Sequence, residues 1–157
     1  MKRALSAILV AGLVAGLFDI IDAIVFYGTQ GAKPIAIGQS IASGLLGDAA
    51  YQGGWPVFAL GLGLHFAMAI IMAGVFYLIV RTVPLVAKHI LIAGAFYGLG
   101  LYVVMTYIVL PLSRFHLAHY PFFPPHVNAA LIDELFSHIF LVGVAMALVI
   151  RRSLKAA

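Results

Sequence analysis

The chain has 157 residues and a formal net charge of +4, yet only 9% of its residues are charged and 64% are hydrophobic. A mean hydropathy of +1.14, set against the roughly 25% charged residues of an average soluble domain, excludes a water-soluble globular fold and makes a lipid bilayer the expected surrounding. The absence of cysteine removes disulfides, thiolate metal sites and a thiol nucleophile together, and with no basic stripe beside aromatics nucleic acid is not an expected partner.

Four stretches lack Lys and Arg over about 20 residues or more, the length that crosses ~30 Å of hydrocarbon. They run over about Ala4–Tyr27, Trp55–Val80, Ile90–Leu112 and Asn128–Ile150. The expected fold is therefore an all-α membrane protein, one bundle of four transmembrane helices. Met-Lys-Arg followed by Ala4–Phe18 also resembles a secretory signal peptide. Asp19 and Asp22 interrupt that apolar run and no clear A-x-A site follows, so a retained first helix is expected. Lys2, Arg3, Arg81, Lys88, Arg151, Arg152 and Lys155 fall on one side of a four-crossing topology, and only Lys33 and Arg114 on the other. An excess of seven against two predicts cytoplasmic N and C termini by the positive-inside rule.

The first outer connection, Gly28–Gly54, contains Ile35–Leu46, where Ile37, Ile41 and Leu45 recur at helical spacing opposite Gln39, Ser40 and Ser43. Pro34 before it and Gly47 after it are start and stop signals. A dozen residues are too few to span, so a short interfacial helix is expected, lying as a lid on the membrane rather than lining a pore. Tyr51 and Trp55 would anchor the next helix at the headgroup level. The turn Arg81–His89 is short and holds Pro84, which makes the second and third crossings antiparallel neighbours. The second outer connection, Ser113–Val127, carries His116, His119 and His126 among aromatics and prolines. These three histidines could bind zinc or copper at the surface, or serve as interfacial polar residues.

Gly12-x-x-x-Gly16 and Gly94-x-x-x-Gly98 place small residues on one face of the first and third crossings, where helices can approach closely. Packing within the chain is the plainer reading; a homo-oligomer formed through one of these faces is the sharper one. Met68, Met72, Met105 and Met146 read as packing residues in apolar helices.

Ionisable residues inside the crossings are the strongest functional signal, because such groups are costly in hydrocarbon and mark a path, a ligand or a metal. At ~1.5 Å of rise per residue, His65 and His138 each lie about 15 Å from the outer interface, Asp19 roughly 12 Å, Glu134 about 9 Å and Asp22 about 8 Å. Tyr102 on the third crossing again reaches about 15 Å. Glu134 and His138 are i, i+4 and Asp19 and Asp22 are i, i+3, so each pair shares a helix face. Inward-facing, these residues would form a polar site in the outer half of the bilayer. Imidazole with carboxylate suits zinc, iron or manganese, and bundle cores commonly build metal sites in this way. The expected ligands are His65, Glu134 and His138, with Asp19 completing or orienting the set and Asp22 and Tyr102 in support.

Haem b ranks below a bare metal ion. His65 and His138 at equal depth would suit bis-histidine ligation, with Gly61, Gly63 and Gly143 giving room, but only Arg114 and the loop histidines would meet the propionates. A proton or small-solute pathway needs no cofactor, since buried carboxylates and histidines can relay protons. An accessory or assembly subunit of a larger membrane complex is a third reading, and for any single residue a helix-to-helix hydrogen bond is the plain alternative. Whether the chain is an enzyme stays open, because no nucleophile–base arrangement or cofactor-binding loop is visible.

The second half of the chain resembles the YagU-like family of bacterial inner-membrane proteins. The resemblance covers roughly residues 56–153. It is carried by Leu64-His65, by Gly94-Ala95 through Pro111-Leu112, by Asp133-Glu134-Leu135-Phe136-Ser137-His138 and by Val149-Ile150-Arg151-Arg152. The first crossing, with Asp19 and Asp22, departs from the family pattern. The resemblance implies an inner-membrane location and supports grouping His65, Glu134 and His138; it supplies no reaction.

Overall fold

The computed structural model describes residues 2–115 and 127–155. In chain order these form α1 (Lys2–Thr29), α2 (Pro34–Leu46), a 3-10 turn over Gly47–Gln52, α3 (Gly54–Thr82), the short α4 (Pro84–Lys88), α5 (Ile90–Leu112) and α6 (Ala129–Lys155). Helices α1, α3, α5 and α6 are each long and apolar enough to cross a membrane. The described residues contain helices and turns and no strand, and the chain is a multi-pass membrane protein. Helix is what the solvent demands, because a crossing segment in lipid must satisfy every backbone N–H and C=O internally.

Local chemistry sets the helix ends. Lys33 is extended (φ −78°, ψ 142°) ahead of Pro34, whose missing N–H costs nothing at a first helical position. Gly47, at φ +66°, ends α2 in a left-handed conformation that side chains resist. Asn128 caps α6 by accepting the Leu131 N–H on its Oδ1 at 2.9 Å. From there α6 runs to Lys155, five residues past the expected end, because its last turns carry Arg151, Arg152 and Lys155 out of the apolar zone.

Glycine decides which helices touch. A Cβ on Gly12 would sit 2.6 Å from the Ile70 Cα, and one on Gly16 would strike Phe66, so α1 lies antiparallel and close against α3. Gly94 faces Gly143 and Ala147, and Gly98 faces the His138 carbonyl, which presses α5 antiparallel onto α6. Both Gly-x-x-x-Gly faces are thus buried within the chain. Helix α1 also packs along α6, and α2 packs on α3, where Gly61 meets the Gly38 carbonyl.

The expected neighbours α3 and α5 are antiparallel, but their backbones scarcely meet. Aromatic rings bridge them: Phe76 stacks on Tyr97 with centroids 4.8 Å apart, and the Tyr97 hydroxyl donates to the Met72 carbonyl at 2.8 Å. Around and beyond this bridge the half of the bundle toward the termini is closely packed. Ala11, Ala15 and Ala73 let backbones approach while Phe76, Met146 and Ile150 fill the centre, all at most 1% exposed.

Candidate functional site

Toward the α2 end the bundle opens into a cavity of about 370 Å³, a volume in the range of small-ligand sites. Helix α1 contributes Gly16 and Asp19, α3 contributes His65, and α6 contributes His138 and Val142. Met68 and Met72 of α3 and Met105 and Val109 of α5 form apolar wall, and Ser40, Ile41, Gly44 and Leu45 of α2 close over it. The end of α2 is tied to the end of α5 by the Arg114 N–H donating to the Gly44 carbonyl at 2.9 Å.

Two stretches beside the cavity are π-helical, Met105–Val109 in α5 and Ser137–Val144 in α6. Such widened turns are rare and recur at functional sites. Each has a local cause. Pro111 lacks an N–H and its ring crowds the carbonyl four residues back, which loosens the turn before it. In α6 the His138 ring takes the carbonyl of Glu134, in competition with the helix's own amides. The cavity-lining residues Met105, Val109, His138 and Val142 all belong to these two stretches.

The hydrogen bonds around the polar residues are specific. The His65 Nε2–H donates to the Gly16 carbonyl at 2.8 Å. The His138 Nδ1–H donates to the Glu134 carbonyl at 2.9 Å. A carbonyl can only accept, so these nitrogens carry the protons, and in the neutral ring the lone pair sits on Nδ1 of His65 and on Nε2 of His138. The Ser137 hydroxyl donates to Asp19 Oδ1 at 2.6 Å, joining α6 to α1. Tyr102, buried on α5, sets its ring edgewise against His138 with centroids 5.9 Å apart.

No family model, curated protein or solved structure matches the chain. The site is therefore read from its own geometry.

Of the residues singled out in the sequence, Asp19, His65 and His138 share the cavity. Glu134 does not line it. Its carboxylate turns to α1, where the Tyr27 hydroxyl donates to Oε1 at a long 3.4 Å. Asp22 and Asp133 lie on the same α1–α6 seam, within electrostatic reach of Asp19 and Glu134. Four carboxylates thus line one seam, and no ion pair engages them among the described residues. His116, His119 and His126 lie outside the described residues. Among the described residues no three of His, Asp and Glu converge tightly enough to form a ready metal cage. For haem, the room expected at Gly61 and Gly143 is taken by the Gly38 carbonyl and by the Gly94–Gly98 backbone. Of the three glycines only Gly63 faces open space, so two of the three do not give a macrocycle the room expected of them.

Sequence reasoning did not single out Ser137, Tyr27 or the three cavity methionines for the site. A signal for two of the methionines was present: in His65-x-x-Met68-x-x-x-Met72 the spacings of three and seven put all three side chains on one helical face.

Proposed function

We propose that this chain is a bacterial inner-membrane protein that holds a metal ion in the cavity under α2, with His65, His138 and Asp19 as donors. The observation that carries the reading is the state of those three groups. In its neutral form each imidazole has one N–H spent on a backbone carbonyl and one lone pair left, and Asp19 is braced by a hydroxyl. Metal-binding histidines and carboxylates are ordinarily oriented by such outer partners. Glu134 moves from ligand to orienting role, since it is its main-chain carbonyl that holds the His138 ring; Tyr102 flanks that ring.

The surroundings fit this reading. Seven of nine Lys and Arg residues belong to the end that holds the termini and α4, which by the positive-inside rule is cytoplasmic and leaves the cavity in the outer half, with α2 as an interfacial lid. The bacterial inner membrane is what the sequence resemblance of residues 56–153 to the YagU-like family would imply, and the four long apolar helices fit a membrane location. Metal analysis of protein purified in mild detergent tests the proposal. One equivalent in the wild type, lost in His65→Ala and His138→Ala, is expected. Metal-free wild type after equilibration with transition metals, with stability unchanged, would sink it.

One observation favours a second reading, a proton pathway. Tyr27, Asp133, Glu134 and Asp22 along the α1–α6 seam lead to Asp19 at the cavity. This reading predicts pH-dependent flux in liposomes that disappears in Glu134→Gln. Tight liposomes with wild-type protein would count against it.

A further inference from the structure

The donors named so far leave the cavity's chemistry incomplete. Two imidazoles and one carboxylate line it without closing into a cage, and the glutamate that might have been the fourth is turned to Tyr27. The remaining polarisable atoms in the wall are sulfurs. The chain has five methionines and no cysteine. Of the four in the described residues, Met146 is fully buried in the packed half, while Met68, Met72 and Met105 all line this one cavity. Met68 and Met72 follow His65 on its own face of α3. Met105 opens the π-helical stretch of α5, opposite the stretch of α6 that bears His138. Three helices therefore bring thioether and imidazole to the same space.

We propose that this cavity takes a soft monovalent metal ion, Cu(I), bound by the sulfurs of Met68, Met72 and Met105 with the His65 and His138 imidazoles, Asp19 balancing its charge. The proposal rests on the metal-binding reading above and narrows it. Ligand type gives the first argument: thioethers select Cu(I), whereas carboxylate, carbonyl and water suit the harder divalent ions. Charge gives the second. The cost of burying an ion grows with the square of its charge, and only adjacent opposite charge offsets it. Asp19 is the single carboxylate lining the cavity, and with the imidazoles in their neutral form it balances one positive charge at the ion itself, while Asp22, Asp133 and Glu134 stand behind it on the seam. Reach gives the third, because the unbranched methionine side chain has three rotatable bonds and its sulfur can adjust to an ion where a shorter donor cannot.

The test uses the full chain in detergent, with Cu(I) held reduced by ascorbate without oxygen and competed against a chromogenic Cu(I) chelator. The expected result is one equivalent of Cu(I), with sulfur neighbours visible by X-ray absorption. The Met68→Leu/Met72→Leu double variant, which conserves volume and so keeps the fold, should bind at least about 100-fold more weakly, the upper end of what loss of a supporting partner costs a metal site. Met146→Leu serves as the control and should bind as wild type does. Unchanged Cu(I) affinity in the double variant, or X-ray absorption without sulfur neighbours, overturns the proposal. Zinc, manganese and iron(II) loadings separate the two levels. If one of them binds at one equivalent, depends on His65 and is indifferent to Met→Leu, the Cu(I) assignment fails and the metal reading stands. If no metal binds, both fail. A small apolar molecule retained in the cavity of metal-refractory protein would have the same meaning.

Discussion

The two halves of the bundle are made from the same apolar alphabet and do different things with it. Toward the termini, alanine and glycine bring backbones together and a few large residues close every gap, with Phe76, Met146 and Ile150 at 1% exposure or less. Toward α2, the helices part around about 370 Å³, and the five ionisable residues expected in the outer half, Asp19, Asp22, His65, Glu134 and His138, are only partly buried. In lipid there is no hydrophobic drive between helices, so packing and interhelical hydrogen bonds hold them together. A gap kept open at one end is therefore maintained against the same packing forces that close the other. The α5 and α6 backbones diverge from regular α-helix in that region alone, in the two π-helical stretches.

The comparison can be broken most directly by truncating one large residue in each half. Phe76→Ala should cost about 3–5 kcal/mol, whereas Met68→Ala, at 36% exposure on an existing cavity wall, should cost about 1 kcal/mol. Reversible unfolding in mixed micelles measures both, and equal losses would erase the distinction between the halves. Next in size is Gly98→Ala. The new Cβ would meet the His138 carbonyl and Ile139 Cα, and overpacking of this kind costs about 1–3 kcal/mol. Gly63→Ala, facing open space, should instead leave stability unchanged or raise it by up to about 1 kcal/mol. Thermal unfolding of the pair would sharpen the claim that Gly98 sets the position of His138.

The smallest effects belong to single hydrogen bonds. Tyr97→Phe removes the bond to the Met72 carbonyl that marks the cavity floor, and Ser137→Ala removes the bond that braces Asp19. Each should cost about 0.6 kcal/mol, the average for such bonds in membranes. The two variants differ in their consequence for binding. Ser137→Ala should weaken metal affinity about 10-fold or more, and Tyr97→Phe should not. Titration of both variants checks this, and equal affinities would remove Ser137 from the site.

Much of the fold was legible in the sequence, for a physical reason. A bilayer crossing needs about 20 residues without a charge that must leave water, and that constraint is local, so all four crossings and the short helix between the first two could be read directly. Helix ends shifted by a few residues because caps such as Asn128 and basic last turns such as Arg151–Lys155 lie at the boundary of what composition marks. Adjacency was less legible. The short turn through Pro84 implied close contact between α3 and α5, but the glycine faces of α1 and α5 give the closest approach to other partners, and α3 reaches α5 through the Phe76–Tyr97 stack. The site was legible in depth and not in rotation. Similar depth grouped Asp19, His65 and His138, which line one cavity, while the i, i+4 pairing of Glu134 with His138 assumed a regular helix. With α6 π-helical from Ser137, the Glu134 carboxylate meets Tyr27 and Asp19 shares the cavity instead.

The account's central claim is that the opened half of the bundle exists to hold an ion, and anomalous diffraction from Cu(I)-loaded crystals tests it most directly. The predicted result is a single copper peak in the cavity, within bonding distance of Nδ1 of His65, Nε2 of His138 and at least one of the Met68, Met72 and Met105 sulfurs. A cavity without a peak, or copper found only outside it, would contradict the account.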